Sequence, residues 1–214
     1  MKNGDYMDKN YKTVKFNTKD EFVEKRSRFI GYCKPVTTEQ EAVDFINKIK
    51  KDHWDATHNV YAYSLREGQI KRYSDDGEPS GTAGMPALDV ILKNDVVDVV
   101  VVVTRYFGGV LLGTGGLVRA YAKGCKVALE AAGIVTMELC SQCKISCSYN
   151  QYGKINTLVM QKGGYVDNCD FADNVIIDFH MPVDLVNSLN KSLADATAGE
   201  ITVEILGENY YEKE

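Results

Sequence analysis

Between positions 39 and 51 the apolar residues Ala42, Phe45, Ile46 and Ile49 recur at steps of three and four, which predicts a helix with Thr38 at its N-cap. THNVYAYSL (57–65) is aromatic and alternating, as a strand is. VVDVVVVV (96–103) lacks alternation, so this strand is expected to have both faces covered. Upstream, 13–16 and 22–33 read as strands, the second carrying Lys25, Arg26 and Arg28, whereas the polar, aperiodic residues 1–11 predict a loose leader. YSDDGEPSGTAGMPALDVILKN (73–94) opens on turn residues and closes on an apolar helix, with Pro86 in its first turn. A longer helix over about 116–132 puts Leu117, Ala120, Tyr121, Gly124, Cys125 and Ala128 on one face and Arg119, Lys123, Lys126 and Glu130 on the other.

Beyond Met137 the rhythm becomes β-α-β-β-α-β. Strands are predicted at 142–149, 164–171, 174–180 and 200–206, with helices at 151–162 and at 182–195, the latter opened by Pro182. That order is the split βαβ, or ferredoxin-like, pattern. The chain therefore reads as a mixed α/β (α+β) protein of two domains, 12–137 and 138–214.

Charge separates the two parts. Residues 1–137 hold 20 Lys+Arg against 18 Asp+Glu, net +2, and residues 138–214 hold 5 against 12, net −7. A polyanionic partner is expected at the first part. No apolar run approaches the roughly 20 residues of a membrane span, and the six cysteines are scattered through apolar segments, which predicts a cytoplasmic protein with reduced thiols.

RYFGGVLLGTGGLVRAY (105–121) packs Gly108, Gly109, Gly113, Gly115 and Gly116 between the valine strand and the long helix. Thr114 stands where a Walker A loop needs lysine, and Val118 stands at the third glycine of a dinucleotide fingerprint, so neither motif is present. The general property remains: Thr114 as N-cap would leave the N–H groups of Gly115, Gly116 and Leu117 at the positive end of a helix. Arg119 in the first turns opposes the macrodipole unless an anion is near. An anion site with Arg105 and Arg119 is one reading, and Tyr106 and Phe107 offer stacking surfaces for bases. The other reading gives the glycines to tight turns and helix packing, and Arg119 to an acidic neighbour.

Asp75, Asp76 and Glu78 are candidates for acid/base work, or simply an acidic turn ahead of a helix. His58, on a strand face, is either a general base or a hydrogen-bonded core histidine, with His53 and Asp55 nearby. On an extended strand Cys140 points opposite to Cys143 and Cys147, no histidine cluster is adjacent and only Cys169 remains as a fourth ligand, so no metal or other cofactor is expected.

DATHNVYAY, SDDGEPSGTAGMPAL, VVVVTRYFGGVLLGTGGLVRAY and the ferredoxin-like tail together resemble the IMPACT/YigZ family, over about residue 20 to the C-terminus. The resemblance implies an N-terminal α/β domain like the second domain of small-subunit ribosomal protein five, and a C-terminal domain like domain V of elongation factor G. It implies a link to translational control, with structured RNA or the ribosome as partner. The family's motif residues fall at His58, Asp75, Asp76, Gly77, Glu78 and Pro79, and at Arg105, Tyr106, Phe107, Gly108, Gly109, Gly113, Gly115, Gly116 and Arg119. The 214 residues leave no room for the additional N-terminal domain through which eukaryotic members act, so that mechanism is not expected here. Two functions stay open: a module binding RNA at the glycine loop, and an enzyme whose small phosphorylated or carboxylated ligand sits there. Oligomeric state is left open.

Overall fold

A computed structural model describes residues 10–213, and the expected loose leader falls outside them up to residue 9. The chain divides into two compact units, Tyr11–Thr136 and the residues from Met137 onward. β1 (Asn10–Val14) leads into the hairpin of β2 (Thr18–Glu24) and β3 (Ser27–Pro35). There follow α1 (Glu39–Asp52), β4 (His58–Ser64), β5 (Lys71–Ser74), α2 (Gly84–Lys93), β6 (Val99–Tyr106) and α3 (Thr114–Ala132). The sheet of this unit runs β2-β3-β6-β4-β5 with every neighbour antiparallel.

The valine strand is the central one, and its side chains feed two cores in alternation. Val100 and Val102 pack with Phe45, Ile46 and Ile49 of α1, while Val99, Val101 and Val103 pack with Ile91 of α2 and Tyr121 and Cys125 of α3. Covered on both faces, the strand has no polar side to show. α1 starts as expected: the Thr38 hydroxyl accepts the Glu41 N–H at 3.2 Å and the Glu41 carboxylate accepts the Thr38 N–H at 3.3 Å, a reciprocal capping box. α3 comes close to the sheet where a Cβ on Gly31 would stand 2.3 Å from the Gly124 carbonyl oxygen.

The single strand expected over 22–33 is instead a hairpin. Lys25 and Arg26 turn it at φ of 44° and 66°, the left-handed pair that a tight two-residue turn needs, and Glu24 pairs with Ser27 across it. The short edge strand β5, whose residues are mostly exposed, carries no apolar pattern and was not anticipated.

β7 (Ile134–Cys147), which also pairs with β1, continues into the second unit and is followed by α4 (Tyr149–Gln161), β8 (Tyr165–Phe171), β9 (Val175–Pro182), α5 (Val186–Thr197) and β10 (Glu204–Glu212). The antiparallel order β10-β7-β9-β8 is that of the ferredoxin-like pattern, with Ile155 and Val159 of α4 and Leu189 and Leu193 of α5 packed on Ile145, Ile177 and Phe179. Pro182 is both the last residue of β9 and the N-cap of a 3-10 turn, Val183–Leu185, that runs into α5, and the last strand lies later than 200–206. The architecture is mixed α+β. Among the described residues no helix is long and apolar enough to cross a membrane.

Candidate functional site

β6 brings Arg105 and Tyr106 to one end of the sheet, and residues 107–113 carry the chain to α3. Arg105 is only 5% exposed, opposite Phe29 of β3 and His58 of β4 in the ladder. Its Nη1 donates to Glu78 Oε1 at 2.5 Å, and the same oxygen accepts the Tyr121 hydroxyl at 2.7 Å. His58 Nδ1 donates to the Asp76 carbonyl oxygen at 2.8 Å, leaving Nε2 3.7 Å from Glu78 Oε1. Burial and the Glu78 carboxylate push the Tyr121 phenol well above its usual range, so it stays protonated as a donor. The arginine expected beside a ligand is thus the buried partner of Glu78, and the cluster ties β4, β6, α3 and the acidic turn together.

The other two carboxylates of that turn are also engaged. Asp75 accepts the N–H groups of Gly81 at 2.8 Å, Ala83 at 3.0 Å and Gly84 at 2.8 Å, which fastens the start of α2. Asp76 accepts the Asn59 N–H at 2.7 Å and the Lys50 ammonium at 2.6 Å. Among the described residues no group of three His, Cys, Asp or Glu side chains is placed to hold a metal ion.

The loop glycines divide by role. A Cβ on Gly108 would sit 2.1 Å from the Arg26 backbone, so this residue lets the loop touch the β2–β3 turn, and its N–H donates to Ser27 Oγ at 3.2 Å. A Cβ on Gly116 would meet Leu112 at 2.9 Å. Gly109 and Gly113 hold φ of 81° and 75°. The N-cap is Gly113 and not Thr114: the Leu117 N–H already bonds the Gly113 carbonyl at 2.9 Å, and no side chain caps the turn. The uncapped donors therefore belong to Thr114, Gly115 and Gly116, the first two exposed.

Beside this turn lies a cleft of about 190 Å³, lined by Lys25, Arg119 and Lys123 with Glu24, Phe22 and Leu112. Arg119 Nη1 would stand 3.7 Å from a Cβ on Gly115, so the guanidinium and the open turn share one face. No acidic side chain forms an ion pair with Arg119 or Lys123 among the described residues, and Lys123 Nζ lies 4.3 Å from the Phe22 ring centroid. Lys123, one helical turn beyond Arg119, enters this site although the sequence marks it only as a polar-face residue. Arg28, on the same hairpin as Lys25, is paired with Glu21 at 2.7 Å. Phe107 is 46% exposed and available for stacking, whereas the Tyr106 hydroxyl is held by His53 at 2.8 Å and Asp55 at 3.1 Å.

The chain is similar to known proteins over most of its length. The chain is 40% identical over 204 residues to IMPACT family member YvyE of Bacillus subtilis (strain 168), covering 95% of the chain and 94% of that protein. The chain belongs to the IMPACT family. IMPACT family member YigZ of Escherichia coli (strain K12) is 34% identical over 180 residues, covering 83% of the chain and 88% of that relative. Residues 25–129 match the Impact N-terminal domain, and residues 145–200 match a domain of unknown function (DUF1949). A crystal structure of a hypothetical protein superposes with a TM-score of 0.59 at 30% identity, covering 92% of this chain and 98% of that one. The IMPACT homolog of Dictyostelium discoideum, by contrast, shares 34% identity over 57% of the chain but only 35% of its own length. The buried Arg105–Glu78 cluster, the glycine loop and Arg119 all lie within the Impact N-terminal match.

Proposed function

We propose that this IMPACT-family chain is a translation-associated binding protein whose N-terminal unit grips the phosphate backbone of structured RNA, such as that of the ribosome, at the start of α3. The observation that carries the reading is the uncapped first turn of α3 lying against a cleft with three cations, Lys25, Arg119 and Lys123, and one carboxylate, Glu24. Backbone donors and the helix dipole favour an oxyanion there, and the guanidinium supplies a fork for phosphate. Exposed Phe107 offers a ring to an unstacked base. The acidic second part of the chain argues for contact through the first.

The rival reading, an enzyme acting on a small anion at this loop, needs a carboxylate or His58 free to move protons. Asp75, Asp76 and Glu78 each hold structure together, and His58 Nδ1 is committed to a carbonyl, which favours binding over catalysis at this loop.

Filter binding of the whole chain to ribosomal subunits and ribosomal RNA tests this. Three phosphates neutralised predict about a fortyfold loss of affinity between roughly 50 and 200 mM salt, and Arg119→Ala should shallow the salt slope by about one. Salt-insensitive binding, or an Arg119→Ala, Lys123→Ala double variant that binds as the parent does, overturns the reading.

A further inference from the structure

A second and larger cleft, about 620 Å³, opens on the other side of the sheet between β2, β3 and α1. Phe45 and Ile49 form its apolar floor, and Lys19, Lys34 and Lys48 stand around it with Tyr32 and His53 at one end. Of its two carboxylates, Asp52 is taken by Lys48 at 2.6 Å and Asp44 accepts the Gln40 amide at 2.8 Å. Lys19 and Lys34 form no ion pair with a carboxylate among the described residues; each lies 5.8 Å from a ring centroid, of Tyr32 and Phe45 respectively. The volume suits a small metabolite, and the uncommitted charge is positive.

At the end lined by Tyr32 and His53 runs a directed chain of hydrogen bonds. The Tyr106 hydroxyl donates to Asp55 Oδ1 at 3.1 Å, so its oxygen receives the His53 Nδ1–H at 2.8 Å. Nε2 of the neutral ring then accepts the Tyr32 hydroxyl at 2.5 Å, so the Tyr32 proton is committed to the ring. Protonating Nε2 reverses that link. The imidazolium donates to the Tyr32 oxygen, and the phenolic proton is free to turn toward the cleft between the two lysines.

We infer that this cleft binds a small oxyanion of the phosphomonoester type through Lys19, Lys34 and the Tyr32 hydroxyl, and that binding takes up one proton on His53. No bond to carbon or phosphorus is made or broken; the solvent supplies the proton. Desolvation holds the ring neutral in the unliganded protein, with Lys19 and Arg28 acting the same way and Asp52 and Asp55 opposing them. An anion adds negative charge on the side where the new donor points, and by linkage protonation and binding strengthen one another.

The chain has three histidines, so their imidazole resonances can be followed individually through pH with and without sulfate, His53→Gln identifying the His53 signal. Sulfate keeps its charge between about pH 5 and 8, where histidine titrates, so any pH dependence belongs to the protein. The expected result is a rise of about one unit in the His53 midpoint on adding sulfate, equivalent to about tenfold tighter binding by the protonated form. Tyr32→Phe should abolish the rise and Lys34→Gln should shrink it, with thermal melting showing both variants folded. Arg119→Gln should leave it intact, which separates this site from the one at α3. A His53 midpoint that ignores sulfate, or a shift that survives Tyr32→Phe and Lys34→Gln, overturns the inference.

Discussion

Glu78 is the residue on which the interior of the first unit turns. One of its oxygens accepts from both Arg105 Nη1 and the Tyr121 hydroxyl in surroundings where Glu78 is 8% exposed, while the buried Arg105 Nε has no hydrogen-bond partner. Glu78→Ala strands a buried guanidinium and should cost about 3–5 kcal/mol in urea unfolding, whereas Arg105→Met with Glu78→Leu should recover much of that loss. His53 gives stability a pH dependence of the same sign as that of a paired carboxylate, but placed in the histidine range. Burial lowers its folded pKa, so the unfolded chain binds more protons; its contribution to stability is full above the ordinary histidine range and declines as pH falls through about 6.5 toward the folded value. Unfolding of wild type and His53→Gln should therefore differ in slope across that interval and run parallel at alkaline pH. At this scale the sequence revealed which residues matter better than what they face. Arg105 and Glu78 meet across 27 positions of chain, a distance over which no local pattern carries information about pairing.

Among the elements, α1 is the one most fully written in local sequence. Its apolar spacing and its capping box are contained within a dozen residues, and Thr38→Ala should cost about 1 kcal/mol, read as a lowered melting temperature. The β2–β3 hairpin is the opposite case, since Lys25 and Arg26 occupy left-handed backbone that Asn-Gly would fill at less strain. Lys25→Asn with Arg26→Gly should stabilise the chain by about 0.5–1 kcal/mol while weakening RNA binding, because the turn borders the cationic cleft at α3. An unfavourable turn next to a proposed site is a place where local rules and function part company, and pattern reading fails there for that reason. The N-cap of α3 lies one residue before the expected Thr114 for a related cause: Gly113 caps with its backbone conformation alone, and leaves no side-chain signature.

Over the whole molecule, the helices of the first unit and the β-α-β-β-α-β order of the second followed from periodicity, since each repeats within reach of its own hydrophobic face, whereas the β2–β3 hairpin and the edge strand β5 did not. Neither cleft was legible, because each gathers side chains from elements that become neighbours only after folding: Lys25 with Arg119 and Lys123, and Lys19 and Lys34 with His53. The valine strand has one more implication. Five identical aliphatic residues in succession, Val99–Val103, keep no memory of their own alignment: slid by a single position along β3 and β4, they would still offer hydrocarbon to both helical layers. The two residues that follow forbid the slip. Thr104, on the α1 side, donates to Asn59 Oδ1 at 2.8 Å, and Arg105, on the other side, meets Glu78. Displaced by one, a guanidinium would enter the α1 layer and a hydroxyl the layer beneath α3, so the most featureless stretch of this protein takes its address from the pair of polar side chains at its end.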